Sequence, residues 1–473
     1  MAAAAWEWSR RRPALWMAAL VAVGLLVQAL RPEFVLTRRV DSASYTQLAN
    51  AAGARDLLAS VRTPGYPLFL RGVRALCPGL WCLPHVQLVI FGLSVLALFE
   101  ALRRFGVSAP GAAAAALPLL ASPLVPYFVP AVMTEALAAG LALCVLALVL
   151  LLAVRRGAGA LWALLGAATF ATYLVRPGFV FLVALVPLAL AALRRAGDTG
   201  AGRGRRSAAT LLGAFALCLL PLLAWSVLRW RVVGDFGLVS FTGYHLTGIA
   251  ASMLDEDVVA ALPLEQRGLA AEILRRRQRA GLTPVRSALP FARWREKHNT
   301  NTYKFALPLA RGEYRRASTA LGESARHWPR DVYVNRRLTG FARAVIAARP
   351  GLYLKWLAGA WVTALALLIA QHWLWATGVF ALVGAAVRKV RQRGAPQTAA
   401  RELEWSRTLS FLALAAAFAV SALALVLFLQ PPEWRYLLSV MLPLPGALAA
   451  VGVEGLRSLR RGAPGPAESP PAP

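Results

Sequence analysis

The sequence predicts an all-α polytopic membrane protein of about ten transmembrane helices, and three observations predict it. Hydrophobic residues make up 58% of the 473-residue chain, charged residues only 16%, and the mean hydropathy is +0.56. Soluble domains carry about 45–50% apolar and about 25% charged residues, so this chain lacks the polar surface to cover a water-soluble globule. The apolar residues fall in long runs, such as 131–154 and 410–429, each long enough to cross a hydrocarbon core of about 30 Å. A soluble enzyme, a collagen-like fibre and a disulfide-stapled miniprotein are excluded.

The first span is 13–30. It follows Arg10, Arg11 and Arg12 as a signal peptide would, but it is long for a signal core, and Arg31-Pro-Glu follows without a small-residue cleavage pattern. It reads as uncleaved. Further spans are placed at 86–102, 107–122, 131–153, 158–175, 178–193, 208–228, 356–387, 408–429 and 436–454. The third and sixth are short. The eighth is too long for one straight helix, and reads as an interfacial helix followed by a span that begins near His372.

The net charge is +30, from 52 basic and 22 acidic residues. In a soluble protein this would suggest nucleic acid. Here only Lys297, Lys304, Lys355 and Lys389 are lysines, and an Arg- and Ala-rich composition is equally a mark of GC-rich coding. Position is more informative than total. Short segments on one side carry 21 basic residues, among them Arg103, Arg104, Arg194, Arg388 and Arg457, against nine on the other. The positive-inside bias therefore puts both termini in the cytoplasm and the protein in the cell (inner) membrane. Residues 229–351 are left out of that count, because long loops translocate largely regardless of charge.

Two non-membrane regions then lie outside, the first external loop 31–85 and the larger segment 229–351. The latter is mainly helical. Residues 265–282 have helical character with the basic run Arg275 to Arg277, and 336–348 form an amphipathic helix stopped by Pro350. Their basic faces read as solvated surfaces snorkelling at the membrane. The organisation is an N-terminal membrane module (1–228) of seven spans with the first external loop, the segment 229–351, a C-terminal membrane module (352–462) and a Pro/Ala-rich tail (463–473) read as disordered. Cys144 and Cys218 sit in apolar runs as core filler. Cys77 and Cys82 flank Pro-Gly-Leu-Trp, which leaves a local disulfide open.

Chemistry must come from polar residues placed where an apolar chain would not spend them. The first such piece is Asp41-Ser-Ala-Ser-Tyr45, followed by Arg62-Thr-Pro-Gly-Tyr66-Pro. Tyr45 lies one helical turn beyond Asp41, so both can face one cavity. The second is Met133-Thr134-Glu135, a carboxylate at the mouth of the fourth span that is costly unless it meets water or a partner. Arg176-Pro177 and Glu433-Trp434-Arg435-Tyr436 complete the set, all on the same predicted side. Each alone could be an interfacial anchor; their convergence suggests a site. His85, His245, His298, His327 and His372 are scattered without metal-ligand spacing and read as structural.

These residues resemble the motifs of the GT-C superfamily of integral-membrane glycosyltransferases, which includes the protein O-mannosyltransferases and the lipid A aminoarabinose transferases. The resemblance covers most of the chain: an acidic residue in the first external loop, an Arg-x-Pro-Gly-Tyr-Pro stretch, a Thr-Glu opening a later span, an Arg-Pro between spans, and a Glu-x-Arg-Tyr before the last span. Many members have Asp-Glu in the first loop, where Asp41 here is followed by Ser42. The resemblance implies transfer of a sugar, with inversion, from a polyprenyl-phosphate donor to a lipid, glycan or protein acceptor on the outer face. Asp41 is then the base, Arg62, Arg176 and Arg435 the phosphate ligands, and Tyr45, Tyr66, Glu135 and Tyr436 substrate-binding residues. It indicates no cofactor, leaves a divalent metal open, and implies the bilayer but no nucleic acid as partner.

Three other classes fit less well. A transporter or flippase of lipid-linked glycans would place ionisable groups near the bilayer midplane, whereas these spans are nearly uncharged along their middles. An O-antigen ligase or polymerase would lean on the large late loop rather than on an early aspartate. A receptor or scaffold leaves the polar constellation unexplained.

Overall fold

The computed structural model describes residues 12–51, 53–155, 158–197, 203–282, 297–320, 329–392, 398–433, 435–437 and 441–459. The described chain is helical, with one isolated parallel bridge between Thr37 and Ala131. In order, the helices are α1 (Pro13–Ala29), α2 (Ser42–Asn50), α3 (Ala54–Ala59), α4 (Gly65–Leu76), α5 (Leu83–Phe105), α6 (Ala109–Leu120), α7 (Leu124–Phe128), α8 (Thr134–Val154), α9 (Gly159–Val175) and α10 (Leu182–Gly197). They continue as α11 (Arg203–Val233), α12 (Thr242–Ser252), α13 (Glu256–Ala261), α14 (Leu264–Arg279), a π-helical run (Thr300–Ala306), α15 (Leu307–Ala320), α16 (Arg330–Ala348), α17 (Pro350–Ile369), α18 (His372–Gln392), α19 (Ala399–Leu429) and α20 (Leu444–Arg457). Local chemistry marks their ends. Pro84 sits in the first turn of α5, where its missing N–H costs nothing, and Gly106 closes that helix at φ 105°. Ser108 caps α6 by accepting from the Gly111 N–H.

Among the described residues seven stretches are long and apolar enough to cross a membrane: Leu83–Phe105, Ala109–Phe128, Thr134–Val154, Pro177–Ala196, Ser207–Val233, Pro350–Ile369 and Ala399–Leu429. Pro13–Ala29 and Gly159–Val175 are shorter apolar helices. Three span expectations need correction. The eighth is two helices, α17 and α18, parted at Ala370 and Gln371 where a break before His372 was expected, but α17 is among the stretches apolar enough to cross a membrane and the 21-residue α18 is not. The tenth, expected at 436–454, is helical at 435–437 and again as α20, which Pro443 caps and which has Pro445 in its first turn; 438–440 lie outside the described residues. The third ends at Leu120, two residues after Pro118, and resumes as α7. The amphipathic helix expected at 336–348 is the C-terminal part of α16, which ends one residue before Arg349-Pro350. The basic run Arg275 to Arg277 lies on α14, where Arg277 is buried and donates to Asn301 Oδ1 at 2.6 Å rather than facing solvent. Cys77 and Cys82 are joined in a disulfide. The tail 463–473 and His327 lie outside the described residues.

Two apolar cores form. The first gathers α1, α5, α6, α8, α9 and α10 with Phe411, Leu414 and Phe418 of α19. The second joins α12, α14, α15 and α16 to Trp356, Ala360 and Ala364 of α17 and to Ala422, Leu423 and Leu427 of α19. The helices of 229–351 therefore share a core with two long apolar helices instead of enclosing one of their own. Helix α19 is the seam: its first half packs into one core, its second half into the other.

Near the chain's end α18 and α20 cross at contact distance through glycines. A Cβ built on Gly384 would stand 2.7 Å from the Gly452 Cα, and one on Gly455 would stand 2.6 Å from the Gly384 Cα. Small residues let helices approach where apolar surroundings provide no hydrophobic drive between them. Gly455→Leu should overpack this crossing and cost on the order of 1–3 kcal/mol. The check is the thermal unfolding midpoint in nanodiscs, expected to fall by several degrees; an unchanged midpoint would mean the crossing can open freely.

Candidate active site

The site starts from a strap. After α1 the chain runs beside the stretch that precedes α8: Thr37 N–H donates to the Pro130 carbonyl at 2.9 Å, and Val132 N–H donates back to Thr37 O at 3.0 Å. Ser42, at the start of α2, donates to Val132 O at 2.9 Å and accepts from Arg39 N–H at 2.8 Å. These bonds fix Asp41 relative to Thr134 and Glu135. From the other side Gly65 opens α4 against the end of α9, where a Cβ would meet the Leu174 carbonyl at 2.6 Å. Only glycine permits that approach, which sets Arg62 beside Arg176, and the Thr63 hydroxyl reaches Val175 O at 3.4 Å.

Asp41 precedes α2 in the capping position, yet its carboxylate caps nothing. An aspartate there ordinarily accepts from the first turn's N–H groups. Here Oδ1 accepts from Arg62 Nη2 at 2.6 Å and Oδ2 from Arg435 Nη1 at 2.9 Å. Arg62 is the more firmly held of the two arginines. Its Nε reaches Ser44 Oγ at 3.1 Å, its Nη1 reaches the Tyr45 hydroxyl at 3.4 Å, and the guanidinium lies 4.9 Å from the Tyr45 ring and 5.4 Å from that of Phe241. Arg435 is more exposed, at 34% against 19% for Arg62, and its other partners are the Tyr436 hydroxyl and Glu433 at 3.6 Å.

The second half of the cluster is Arg176, whose Nη1 pairs with Glu135 at 2.9 Å and donates to the Thr134 hydroxyl at 2.9 Å. Glu135 is almost fully buried, which is tolerable only because of that guanidinium. The Tyr436 ring lies under both arginines, 5.5 Å from Arg176 and 4.6 Å from Arg435. Of the eight predicted site residues, six thus meet Asp41 in one cluster: Arg62, Arg176, Arg435, Tyr45, Glu135 and Tyr436. Tyr66 does not. It is completely buried beneath Tyr45, edge-on at 5.2 Å, with its hydroxyl on Gln87, so it supports the wall and is not available to a substrate.

The cluster opens into a cavity of about 1360 Å³ at the seam between the two cores. One wall is apolar, built from Val175, Phe179 and Phe181 beside α10 and Leu425, Val426 and Leu429 of α19. The opposite wall comes from 229–351 and contains Phe241, Tyr244, His245, His298, Tyr303 and Arg343, which sequence reasoning did not select. Phe241-Thr-Gly-Tyr-His245 is an aromatic run in an otherwise polar segment, and that was the available signal. His245 and His298 were expected to be structural, and His298 does bond the His245 carbonyl at 2.8 Å. Burial first, then His298 and Arg62, push the His245 imidazole down to about 3, so it is neutral. Among the described residues no three His, Cys, Asp or Glu side chains come together as metal ligands.

No protein-family profile matches the chain, and no curated protein matches it. Among solved structures it is similar to that of ArnT from Cupriavidus metallidurans bound to undecaprenyl phosphate, at 16% identity and a TM-score of 0.35, over 93% of this chain and 77% of that one.

Burial raises the Asp41 carboxyl's pKa, but Arg62 and Arg435 more than offset this and hold it below its ordinary value. A carboxyl whose pKa is depressed by folding contributes stability that is present above the unfolded value, about 3.9, and lost as pH falls through the folded one. The stability difference between wild type and Asp41→Asn should therefore stay constant from about pH 8 to 5 and shrink only below about pH 4. Unfolding midpoints across that range check it; a difference that closes near pH 6 would refute the paired state.

Proposed function

We propose that the protein is a glycosyltransferase of the GT-C type that takes a sugar from a polyprenyl-phosphate donor to an acceptor hydroxyl at the outer face of the membrane, with inversion. The observation that carries this reading is the shape of one cavity. Three guanidiniums line it, together with apolar side chains of the turn before α10 and of the C-terminal part of α19. A lipid phosphate has those two halves. The phosphate oxygens match the forks of Arg62, Arg176 and Arg435, and the prenyl chain lies against Phe179, Phe181 and Leu425. The charge asymmetry of the short segments supports cytoplasmic termini and an outward site.

The chemistry follows from the pairing. A phosphate is a good leaving group that needs cations more than a strong acid. The acceptor oxygen attacks the anomeric carbon, the bond from that carbon to the phosphate oxygen breaks, and the phosphate leaves with the electron pair. Asp41 takes the acceptor's proton. With both oxygens accepting from arginine it is a poor base, so one bond must yield first. Arg435 is the one to move, being more exposed and held by fewer partners than Arg62. A donor phosphate that draws Arg435 away frees Oδ2 and makes Asp41 more basic only when donor is present. Glu135 keeps Arg176 in place, and the Tyr45 and Tyr436 rings flank the sugar.

Asp41→Asn keeps the shape and a hydrogen-bond acceptor but loses the proton acceptor. Polyprenyl-phosphate binding in nanodiscs should survive, while single-turnover transfer falls by about 10²–10⁴. Mass analysis of glycolipids and glycoproteins from cells with and without the protein supplies the substrates for that assay. Parallel loss of binding and rate would make Asp41 a donor ligand, and undiminished transfer would remove it from the chemistry.

A further inference from the structure

The run Thr300–Ala306 is wound as a π-helix, the one such element among the described residues. A π turn accommodates an extra residue and is rare because its packing is poorer, so it persists where surrounding bonds over-determine it. Here they do. Asn301 is fully buried, and its amide donates to Gly248 O at 3.1 Å and Ser252 Oγ at 2.8 Å while its Oδ1 accepts from Arg277 at 2.6 Å. Next to it the Thr302 hydroxyl donates to Tyr244 O at 3.2 Å. All of these bonds pull the turn onto α12 and α14 and leave the following residue, Tyr303, directed the other way.

The result is a stripe. Asn299, Tyr303, Leu307 and Arg311 recur every four residues and all line the cavity, on the wall opposite the lipid-facing one, with Thr339 and Arg343 of α16 beside them. Tyr303 keeps 48% of its surface exposed, and its hydroxyl bonds no protein group among the described residues. Tyr303 lines the same cavity as Asp41, Arg62, Glu433 and Arg435, the groups of the proposed chemical centre. A large aromatic side chain with an unused hydroxyl, fixed by a locally unfavourable turn, suits contact with a ligand better than packing.

Resting on the glycosyltransferase reading, we infer that Tyr303 is an acceptor-positioning residue: with the Asn299 to Arg311 stripe it forms a separate subsite that holds a polar, hydroxyl-bearing acceptor headgroup over Asp41. Donor and acceptor then contact different linings, the lipid donor the turn before α10 and the end of α19, the acceptor the π turn and α16.

The test uses full-length protein in nanodiscs, with polyprenyl phosphate as the donor-site probe and the polar glycolipid and glycoprotein fractions of host membranes as acceptor source. Tyr303→Phe removes one hydroxyl and no packing. It should raise the acceptor KM about three- to tenfold, the effect of one neutral hydrogen bond, with kcat at saturating acceptor changed less than twofold and polyprenyl-phosphate binding unchanged. Asn301→Ala, which releases the turn, should raise the same KM, and the double variant should not exceed the larger single effect. A fall in kcat without a change in KM, weaker polyprenyl-phosphate binding, or no change at all in Tyr303→Phe would each overturn the assignment. Wild-type protein that fails to bind polyprenyl phosphate would instead overturn the donor reading, so the two failures are distinguishable.

Discussion

The site depends on one carboxylate held between two guanidiniums. Asp41 bridges Arg62, from the turn that opens α4, to Arg435, from the short helical stretch 435–437 after α19. Two cations brought this close would repel each other at the edge of an apolar bundle, where charge is poorly screened. The carboxylate between them makes the approach favourable. The same compensation recurs at Glu135 and Arg176, so cations sufficient for a phosphate are assembled without leaving an unmatched charge in a buried place.

The fold serves this cluster by anchoring each contributor to a different rigid element. The strap at Thr37 ties Asp41 to the start of α8, the close approach of Gly65 ties Arg62 to the end of α9, and Glu433 and Arg435 follow directly from α19. Helix α19 belongs to both cores, and the end of it that packs with the 229–351 helices lines the cavity through Leu425, Val426 and Leu429. A lipid-compatible surface and a water-compatible surface thereby line one space.

Much of this was legible in the chain. Long apolar runs declared the helices, and the polar groups that an apolar chain retains at the ends of its spans proved to be neighbours. What failed did so for physical reasons. Tyr66 shares a motif with Arg62, but one helical turn separates a residue that faces the cavity from one that faces the core, and the orientation of a short helix is set by tertiary packing. Within 356–387 the break was foreseen but the halves' roles were not, because hydropathy alone does not say which half crosses; over 436–454 the average hides Pro443 and Pro445, which act through single backbone positions. The histidines and aromatics of 229–351 could be seen but not assigned to the cavity, and the π turn not foreseen, because that segment is neither apolar enough to read as spans nor periodic enough to orient. Its register comes from buried partners such as Asn301 and Arg277.

The bridge from Arg435 to Asp41 spans 394 residues of sequence. A chain emerging from the ribosome and inserting helix by helix would have its aspartate in place 394 residues before its second arginine. Until then the carboxylate has one partner, the apolar slot lacks α19, and the cavity is open on one side. Long-range contacts of this kind form last. A half-made molecule would therefore lie in the membrane with an incomplete pocket, and the cavity would be completed as a single event when α19 and Arg435 dock.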